Sequence, residues 1–470
     1  MKKILINVTN GFSLRYICHT DILKELVKKN KIYILSKNSN SSKKNIGIEG
    51  IEYVQYDDLK IEKYKISSKL YNFLETARMF CHGGNYKTPK IIFEYSYKKK
   101  NLKYFFYKLI IFLMNKFKIL RDLLLFVQSY YYPRDLLSLI EKINPDLVLT
   151  TSIGTFSYDE YVLRIAKKLK IKALTSILSW DNTTTRGYPG SKPDHVFAWT
   201  EEMKKELIKF SDIKSNKITV SGVPHFDIYF DNTIDDVEIT KKKFNISSSD
   251  KVILIVTKAP STYQFNPNIS RIICDAIKSN KIQKCKVITR IHPLFYKITE
   301  DNNLEYNSGL KVFESLEKNY NFLHINYPNI TSYNQDFEMD RSEQSTLKGI
   351  LKVSDVVVNI YSTINIEASI FDKPLINIDF DNMTKMYTWE KKPERQDISI
   401  DRNLDHNSRV MKLGGIKNVK NEEELINAIN FYLQTPSADY KNRKKILDLE
   451  AGNNKGHAGK FIANKIFNFL

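Results

Sequence analysis

The stretch Val353–Phe380, VSDVVVNIYSTINIEASIFDKPLINIDF, constrains the fold more than any other part of the chain. Val356–Val358 and Leu375–Ile378 are short uncharged apolar runs, the pattern of strands buried on both faces of a parallel sheet. Parallel neighbours need a crossover, and Tyr361–Phe371 supplies one of helical length. Ser362 and Thr363 stand at its start, where a hydroxyl can cap a helix whose first N–H groups suit a phosphate. Glu367 lies one turn further on the same helix face. Open α/β sheets bind ligands at the carboxyl edge of their strands. A hydroxyl pair for phosphate and a carboxylate for ribose would make a nucleotide grip at that edge. The same residues also suit an ordinary buried strand–helix–strand unit.

The alternation runs through much of the chain. Ile4–Val8 reads as a first strand, Gly11–Ser13 as a turn, about Arg15–Lys29 as a helix and Lys31–Leu35 as a strand. It resumes at Asn144–Thr150, continues through the strands Lys172–Ile177, Asp194–Trp199 and Lys217–Ser221, and starts again at Lys251–Thr257 and Lys286–Ile291. At 470 residues the chain exceeds one compact core, so two α/β domains are expected. We place them at 1–228 and 229–452, with Phe226–Lys243 as a polar link and Glu300–Asn321 as a polar, unpatterned region. A closing helix at 453–470 is expected to return to the first domain.

Residues about 59–139 break this rhythm and read as a helical, aromatic and basic insertion. Within Tyr104–Tyr131, Phe106, Leu109, Ile110, Leu113, Phe117, Leu120, Leu124 and Val127 fall on one helical stripe. Lys103, Lys108, Lys116, Lys118 and Arg121 lie among or opposite them. A basic amphipathic helix of this kind can lie on an anionic membrane or pack on its own domain.

A net charge of +20 calls for an anionic partner: nucleic acid, a phospholipid surface or a phosphorylated substrate. The four cysteines form no CxxC, so thiols in a reducing cytosol are expected. MKKILINVTN turns polar too soon for a signal peptide, and no run reaches the ~18 apolar residues of a spanning helix. There is no Walker A motif, no HExxH and no Cys/His set with zinc spacing. Asp379 and Asp381 form the one Asp-x-Asp pair.

Four segments occur in a telling order: SGVPHFD (Ser221–Asp227), RIHP (Arg290–Pro293), SDVVVNIYSTINIEASIFDKP (Ser354–Pro374) and NNKGHAGKFIANKI (Asn453–Ile466). Together they resemble the GT-B glycosyltransferase superfamily, near CDP-glycerol glycerophosphotransferases and related surface-carbohydrate enzymes. SWDN (Ser179–Asn182) is similar to the acceptor-domain loop of the surface-carbohydrate members. The resemblance covers mainly 145–470. The polymerase members usually carry Asp before the Tyr-Ser pair, whereas Asn359 and Ile360 precede Tyr361 here.

The resemblance implies two Rossmann-like domains facing across a cleft, acceptor on the N-terminal side and nucleotide donor on the C-terminal side. His292 would meet the donor diphosphate or stabilise the leaving phosphate, with Arg290, Lys258, Ser362 and Thr363 around it and Glu367 on the ribose. Asp181 would act as general base, with Trp180 as a stacking face and Asn182 beside it. Gly11 and Ser13 would form a second acceptor-side position, while His19 and His225 suit packing. Transfer would need no metal and no cofactor. The partners expected are a nucleotide sugar or CDP-polyol donor, a glycan or lipid-linked acceptor and an anionic membrane surface, with no nucleic acid. The expected location is cytoplasmic, peripheral at the inner face of the cell membrane. A CDP-glycerol or CDP-ribitol transferase is the first rival, a non-catalytic basic lipid- or nucleic-acid-binding protein the second, and a nucleotide-sugar epimerase a third.

Overall fold

Short apolar runs become strands here because both faces of each sheet are covered. The computed structural model describes residues 1–84, 86–97, 101–155, 158–231, 236–299, 301–332, 338–381 and 397–470, with only the backbone at 58–59, 65–67 and 332. The chain divides into two units, Met1–Asp227 with Leu404–His406 and Leu449–Leu470, and Ile228–Asn403 with Asn407–Asp448.

The first unit holds β1 (Lys2–Asn7), β2 (Asn30–Ser36), β3 (Ile51–Gln55), β4 (Leu147–Thr150), β5 (Lys172–Ser176), β6 (His195–Ala198) and β7 (Ile218–Val220). All pair in parallel in the order β3-β2-β1-β4-β5-β6-β7. Ile4, Leu5 and Ile6 of β1 and Leu147, Val148 and Leu149 of β4 are fully buried, as strands with two covered faces require. The chain winds outward from β1 to β3 and then returns to β1's other side as β4. The loops after β1 and β4 therefore diverge, which makes this the topological switch point of the sheet.

The second unit holds β8 (Val252–Val256), β9 (Lys286–Arg290), β10 (Leu323–Asn326), a ribbon of β11 (Ile330–Ser332) and β12 (Glu338–Met339), then β13 (Val356–Asn359), β14 (Leu375–Ile378) and β15 (Ile416–Val419). Its parallel sheet runs β10-β9-β8-β13-β14-β15, with the switch point between β8 and β13. Each unit is thus a doubly wound α/β domain.

Between β3 and β4 lie helices at Asp58–Ser67, Lys69–Phe80, Thr88–Ser96, Leu102–Lys116, Lys118–Gln128 and Arg134–Ile143. The single helix read over 104–131 is therefore two. Phe117 is extended (φ −112°, ψ 109°) and separates them. Arg121 holds the break: buried, it donates to the Met114 (2.6 Å) and Asn115 (3.0 Å) carbonyls at the end of the first helix, and to Asp212 Oδ2 (2.9 Å). Those carbonyls lack intrahelical partners, and the guanidinium fork satisfies them.

Other expectations change too. The helix read over Arg15–Lys29 is interrupted: Leu14–Cys18 forms a wide π turn, and Thr20 caps a second helix, Asp21–Val27. Part of the polar link is a helix, Asp236–Phe244, packed on Ser342–Val353. Their approach is close, since a Cβ on Gly349 would stand 2.1 Å from Thr240 Oγ1, and a buried pair joins Lys348 Nζ to Asp236 Oδ2 at 2.8 Å. Within the region read as unpatterned, Asn307–Asn319 is a helix burying Leu310, Phe313 and Leu316.

The closing helix, Ala458–Phe467, packs on Asp21–Val27 in the first unit and buries Ile462, Ala463 and Ile466. Asp227 accepts from the Ala458 (3.0 Å) and Gly459 (2.8 Å) N–H groups at its start. Gly222, at φ +81°, lies so close to the Asn453 carbonyl that a Cβ would stand 2.1 Å away. The SGVPHFD and NNKGHAGK segments, far apart in sequence, are thus two halves of one joint.

Candidate active site

In the second unit most of the residues expected at a donor lie in or beside the loops after β8, β9 and β13, three neighbouring strands. His292 follows β9. Its N–H donates to Thr257 Oγ1 (2.7 Å) at the end of β8, and Thr257 in turn donates to the Arg290 carbonyl (3.1 Å from N, 3.2 Å from Oγ1). The His292 ring accepts the Leu294 N–H at Nδ1 (3.1 Å), so its own proton sits on Nε2. Burial, and then the positive charges of Lys258 and Arg290, push its pKa down to about 4. The imidazole is neutral at pH 7, and what it offers a phosphate is a hydrogen bond rather than a charge.

Lys258 anchors its loop through N–H to Asn266 Oδ1 (2.7 Å), and its Nζ pairs with Asp401 at 2.9 Å. Arg290 is turned inward. It donates to Asn326 Oδ1 and to Glu343 Oε2 (2.8 Å) and is 8% exposed, so its fork is committed within the unit rather than offered to a phosphate.

Ser362 and Thr363 follow β13, the neighbour of β8, and both are partly exposed. The helix begins at Ile364, and the cap is weaker than expected: Ser362 Oγ accepts the Ile364 N–H at 3.3 Å, and Thr363 makes no capping bond. Glu367 is buried one turn in and accepts a short hydrogen bond from the Tyr229 hydroxyl, a partner with no sequence signal.

Beside this edge runs a ladder that pattern reading overlooked. Asn359, Asn377 and Asn418 are register partners across β13, β14 and β15. Asn377 Nδ2 donates to Asn418 Oδ1 (2.7 Å), and Asn418 Nδ2 to Asp379 Oδ2 (2.8 Å). Arg402 Nε donates to both Asp379 oxygens (2.9 and 2.8 Å). Asn377 Oδ1 accepts the N–H of Tyr361 (2.6 Å), whose φ of +42° is costly for a side chain of this size. Asn359 Nδ2 reaches Asn365 Oδ1 (2.8 Å). Asn359 therefore helps to hold the β13 crossover in shape. An open recess of about 520 Å³ adjoins the ladder, lined by Asp379, Arg402, Asn418 and Lys420 among others. A signal existed in the strand sequences VVVN, LINI and IKNV, each with Asn at or near its end.

In the first unit, Gly11 and Ser13 follow β1, and both are buried. The Ser13 hydroxyl accepts from the Thr9 (2.9 Å) and Asn10 (3.0 Å) N–H groups and donates to the Asn10 carbonyl (2.8 Å), so it builds a local turn. Trp180, after β5, is 4% exposed with its ring edge-on to His406 (centroids 4.9 Å), which makes it a wall rather than an open stacking face. Asn182 Oδ1 accepts the Ser179 N–H (3.0 Å). Asp181 accepts from Ser179 Oγ (2.7 Å) and Thr185 Oγ1 (3.0 Å). Burial raises its pKa, but His406 and Arg186 outweigh that and hold it below the usual range, so it is a stable anion and a weak base. His406 Nδ1 lies 3.0 Å from Thr184 Oγ1. Nothing in RNLDHNSR marked this histidine as part of the first unit. At the switch point, Asp159 accepts from Asn7 Nδ2 (2.7 Å) and Ser152 Oγ (2.8 Å), and burial pushes its pKa up to about 7.

A family model for CDP-Glycerol:Poly(glycerophosphate) glycerophosphotransferase matches residues 170–324. No curated protein sequence matches the chain. Among solved structures, UDP-GlcNAc 2-epimerase from Neisseria meningitidis bound to UDP-GlcNAc is 14% identical with a TM-score of 0.55, over 99% of this chain and 100% of that one. S. aureus MnaA solved with UDP is 13% identical, TM-score 0.55, over 100% and 98%. A putative UDP-N-acetylglucosamine 2-epimerase from Listeria monocytogenes is 10% identical, TM-score 0.53, over 100% and 96%. Identities this low speak for fold alone. Two doubly wound parallel-sheet domains, alike over their full length to these structures, give this chain a GT-B-type fold, and residues 170–324 are similar to the glycerophosphotransferase family.

Proposed function

We propose that this chain is a metal-independent transferase, requiring no cofactor, that moves a sugar from a nucleotide donor onto a lipid-linked or polymeric surface glycan. It works in the cytoplasm, at the inner face of the cell membrane. One observation supports the reading: Lys258, His292, Ser362 and Thr363 follow β8, β9 and β13, three neighbouring parallel strands that end at one carboxyl edge around the β8/β13 switch point. That edge is where open α/β sheets receive nucleotides. As the acceptor hydroxyl attacks the anomeric carbon, the bond to the donor diphosphate breaks and negative charge gathers on the departing phosphate. In this reading the His292 Nε2–H and the Ser362 and Thr363 hydroxyls receive it, in surroundings where fixed donors act strongly. Glu367, oriented by Tyr229, serves the ribose hydroxyls. On the acceptor side, Asp181, held as an anion, takes the proton that the incoming hydroxyl releases, with Asn182 beside it.

The family match favours a second reading, a transferase of polyol phosphate from CDP-glycerol or CDP-ribitol, in which CMP would leave. Label transfer from a panel of nucleotide sugars and both CDP-polyols, with and without EDTA, decides between them. We expect transfer unaffected by EDTA and a fall of about 100-fold or more in His292→Ala and Glu367→Ala. Full activity in both variants removes the site assignment. Transfer from a CDP-polyol alone decides for the second reading.

A further inference from the structure

The insertion between β3 and β4 leaves an apolar surface uncovered. In Leu102–Lys116, Tyr104, Ile111 and Met114 are buried. A second set, Leu102, Phe105, Phe106, Leu109 and Phe112, recurs every three or four residues and stands outward, 54–86% exposed. The helix is thus apolar on two faces. Lys118–Gln128 repeats the arrangement: Arg121, Leu124 and Gln128 are buried, while Ile119, Leu123 and Phe126 form an outward stripe, 55–76% exposed. Single exposed apolar residues are ordinary, but periodic outward stripes on two successive helices are not. Phe105, Leu109 and Phe112 also wall an apolar recess of about 560 Å³, completed by Phe80, Pro89 and Phe93.

Charge selects the occupant. Lys103, Lys108, Lys116 and Lys118 are exposed on these two helices, whose one carboxylate is Asp122. Lys118 pairs with Asp122 and Lys108 with Glu94 of the preceding helix at 3.0 Å, so Lys103 and Lys116 carry most of the charge this face presents. Among the described residues no helix is long and apolar enough to cross a membrane, so the stripes suit an in-plane position.

We propose that this face docks on an anionic lipid bilayer, with the aromatic stripe of Leu102–Lys116 set into the boundary between headgroups and acyl chains. The lysines meet lipid phosphates, and the recess takes one acyl chain. This deepens the membrane reading given above by naming the face, and it revises the simple stripe: Leu124 packs inward, while Leu102, Phe105 and Phe112 face the lipid. Apolar insertion supplies the grip and lysines add to it, so binding persists in part when salt screens the charges.

The test is co-sedimentation of the full chain with phosphatidylcholine vesicles, with and without phosphatidylglycerol, at low salt and at ~0.5 M salt. The wild-type protein is expected to prefer anionic vesicles and to keep part of its binding at high salt. The double variant Leu109→Glu, Phe112→Glu changes two exposed side chains and should lose about tenfold or more in partitioning, with its melting curve unchanged. Equal binding by that variant overturns the proposal, as does binding that salt abolishes. A wild-type protein that ignores vesicles while the variant alters its oligomeric state also overturns it, in favour of a second copy. Thermal shift by nucleotide donors reports on the transferase reading independently: loss of donor binding with vesicle binding intact would count against that reading alone.

Discussion

Arg121 decides how the two outward-facing helices meet, and its removal makes a quantitative test. Its guanidinium closes the end of Leu102–Lys116 through two carbonyls and pairs with Asp212, at side-chain exposures of 6% and 14%. Arg121→Met keeps much of the stem but strands both carbonyls and one buried carboxylate. Breaking a buried pair from one side costs about 3–5 kcal/mol. Asp212 retains the Tyr188 hydroxyl at 2.7 Å, which places the expectation near the lower end, about 3 kcal/mol. Native-state hydrogen exchange reads this locally. Amides of 102–128 should exchange about 100-fold faster, a factor of ten per 1.4 kcal/mol, while those of the second unit stay unchanged. Asp212→Asn alone should also destabilise the segment, and the double variant should cost less than the sum, with a coupling of about 1–3 kcal/mol. Unchanged exchange in Arg121→Met, or strict additivity, would refute the idea that this arginine holds the break.

Asp159 has its carboxyl raised to about 7 by burial, against about 3.9 in an unfolded chain. The fold thus binds this proton more tightly, so the stability it contributes is complete below about pH 4 and is lost as pH rises through 7, by up to about 4 kcal/mol. Melts at pH 5 and pH 8 should differ more for the wild-type protein than for Asp159→Asn, and equal differences would contradict it. His292, pushed down to about 4, should leave donor affinity flat from pH 5 to 8, and a titration step near 6.5 in a binding series would contradict the neutral imidazole. Gly222→Ala must move the backbone, because its Cβ would lie 2.1 Å from the Asn453 carbonyl, and we expect a loss of 2 kcal/mol or more by thermal unfolding. Gly47→Ala, also at positive φ but with nothing within 4 Å, should cost only about 1 kcal/mol, and equal losses would sink the close-approach account.

Strand positions were legible wherever a run was apolar on both faces, as at Val356–Val358 and Ile4–Val8. β3 and β15 were not, because the edges of a sheet tolerate IEYVQ and IKNV, which carry polar residues. Asn307–Asn319 was hidden by a largely polar solvent side. The break at Phe117 escaped because the apolar period runs on across it, and the Arg121–Asp212 pair that holds it joins residues distant in sequence. Within the candidate site, His292, Ser362 and Thr363 could be placed because each directly follows a strand. The commitments of Arg290 to Glu343 and of Glu367 to Tyr229 depend on which side chains share a buried volume, and spacing carries no such information.

The amino-acid sequence alone determined the class of fold. Uncharged strand runs alternating with helical crossovers admit little besides doubly wound parallel sheets, because an unpaired buried backbone is too costly. It also placed the candidate loops, since a residue after a parallel strand must emerge at the carboxyl edge. Only the tertiary structure decided what those residues are. Burial beside two cations made His292 a neutral donor, partners across the unit turned Arg290 and Trp180 into framework, and register aligned three asparagines into one ladder. It also decided that the helices of the insertion carry a second apolar face, because which side of a helix is covered depends on its neighbours and not on its own period.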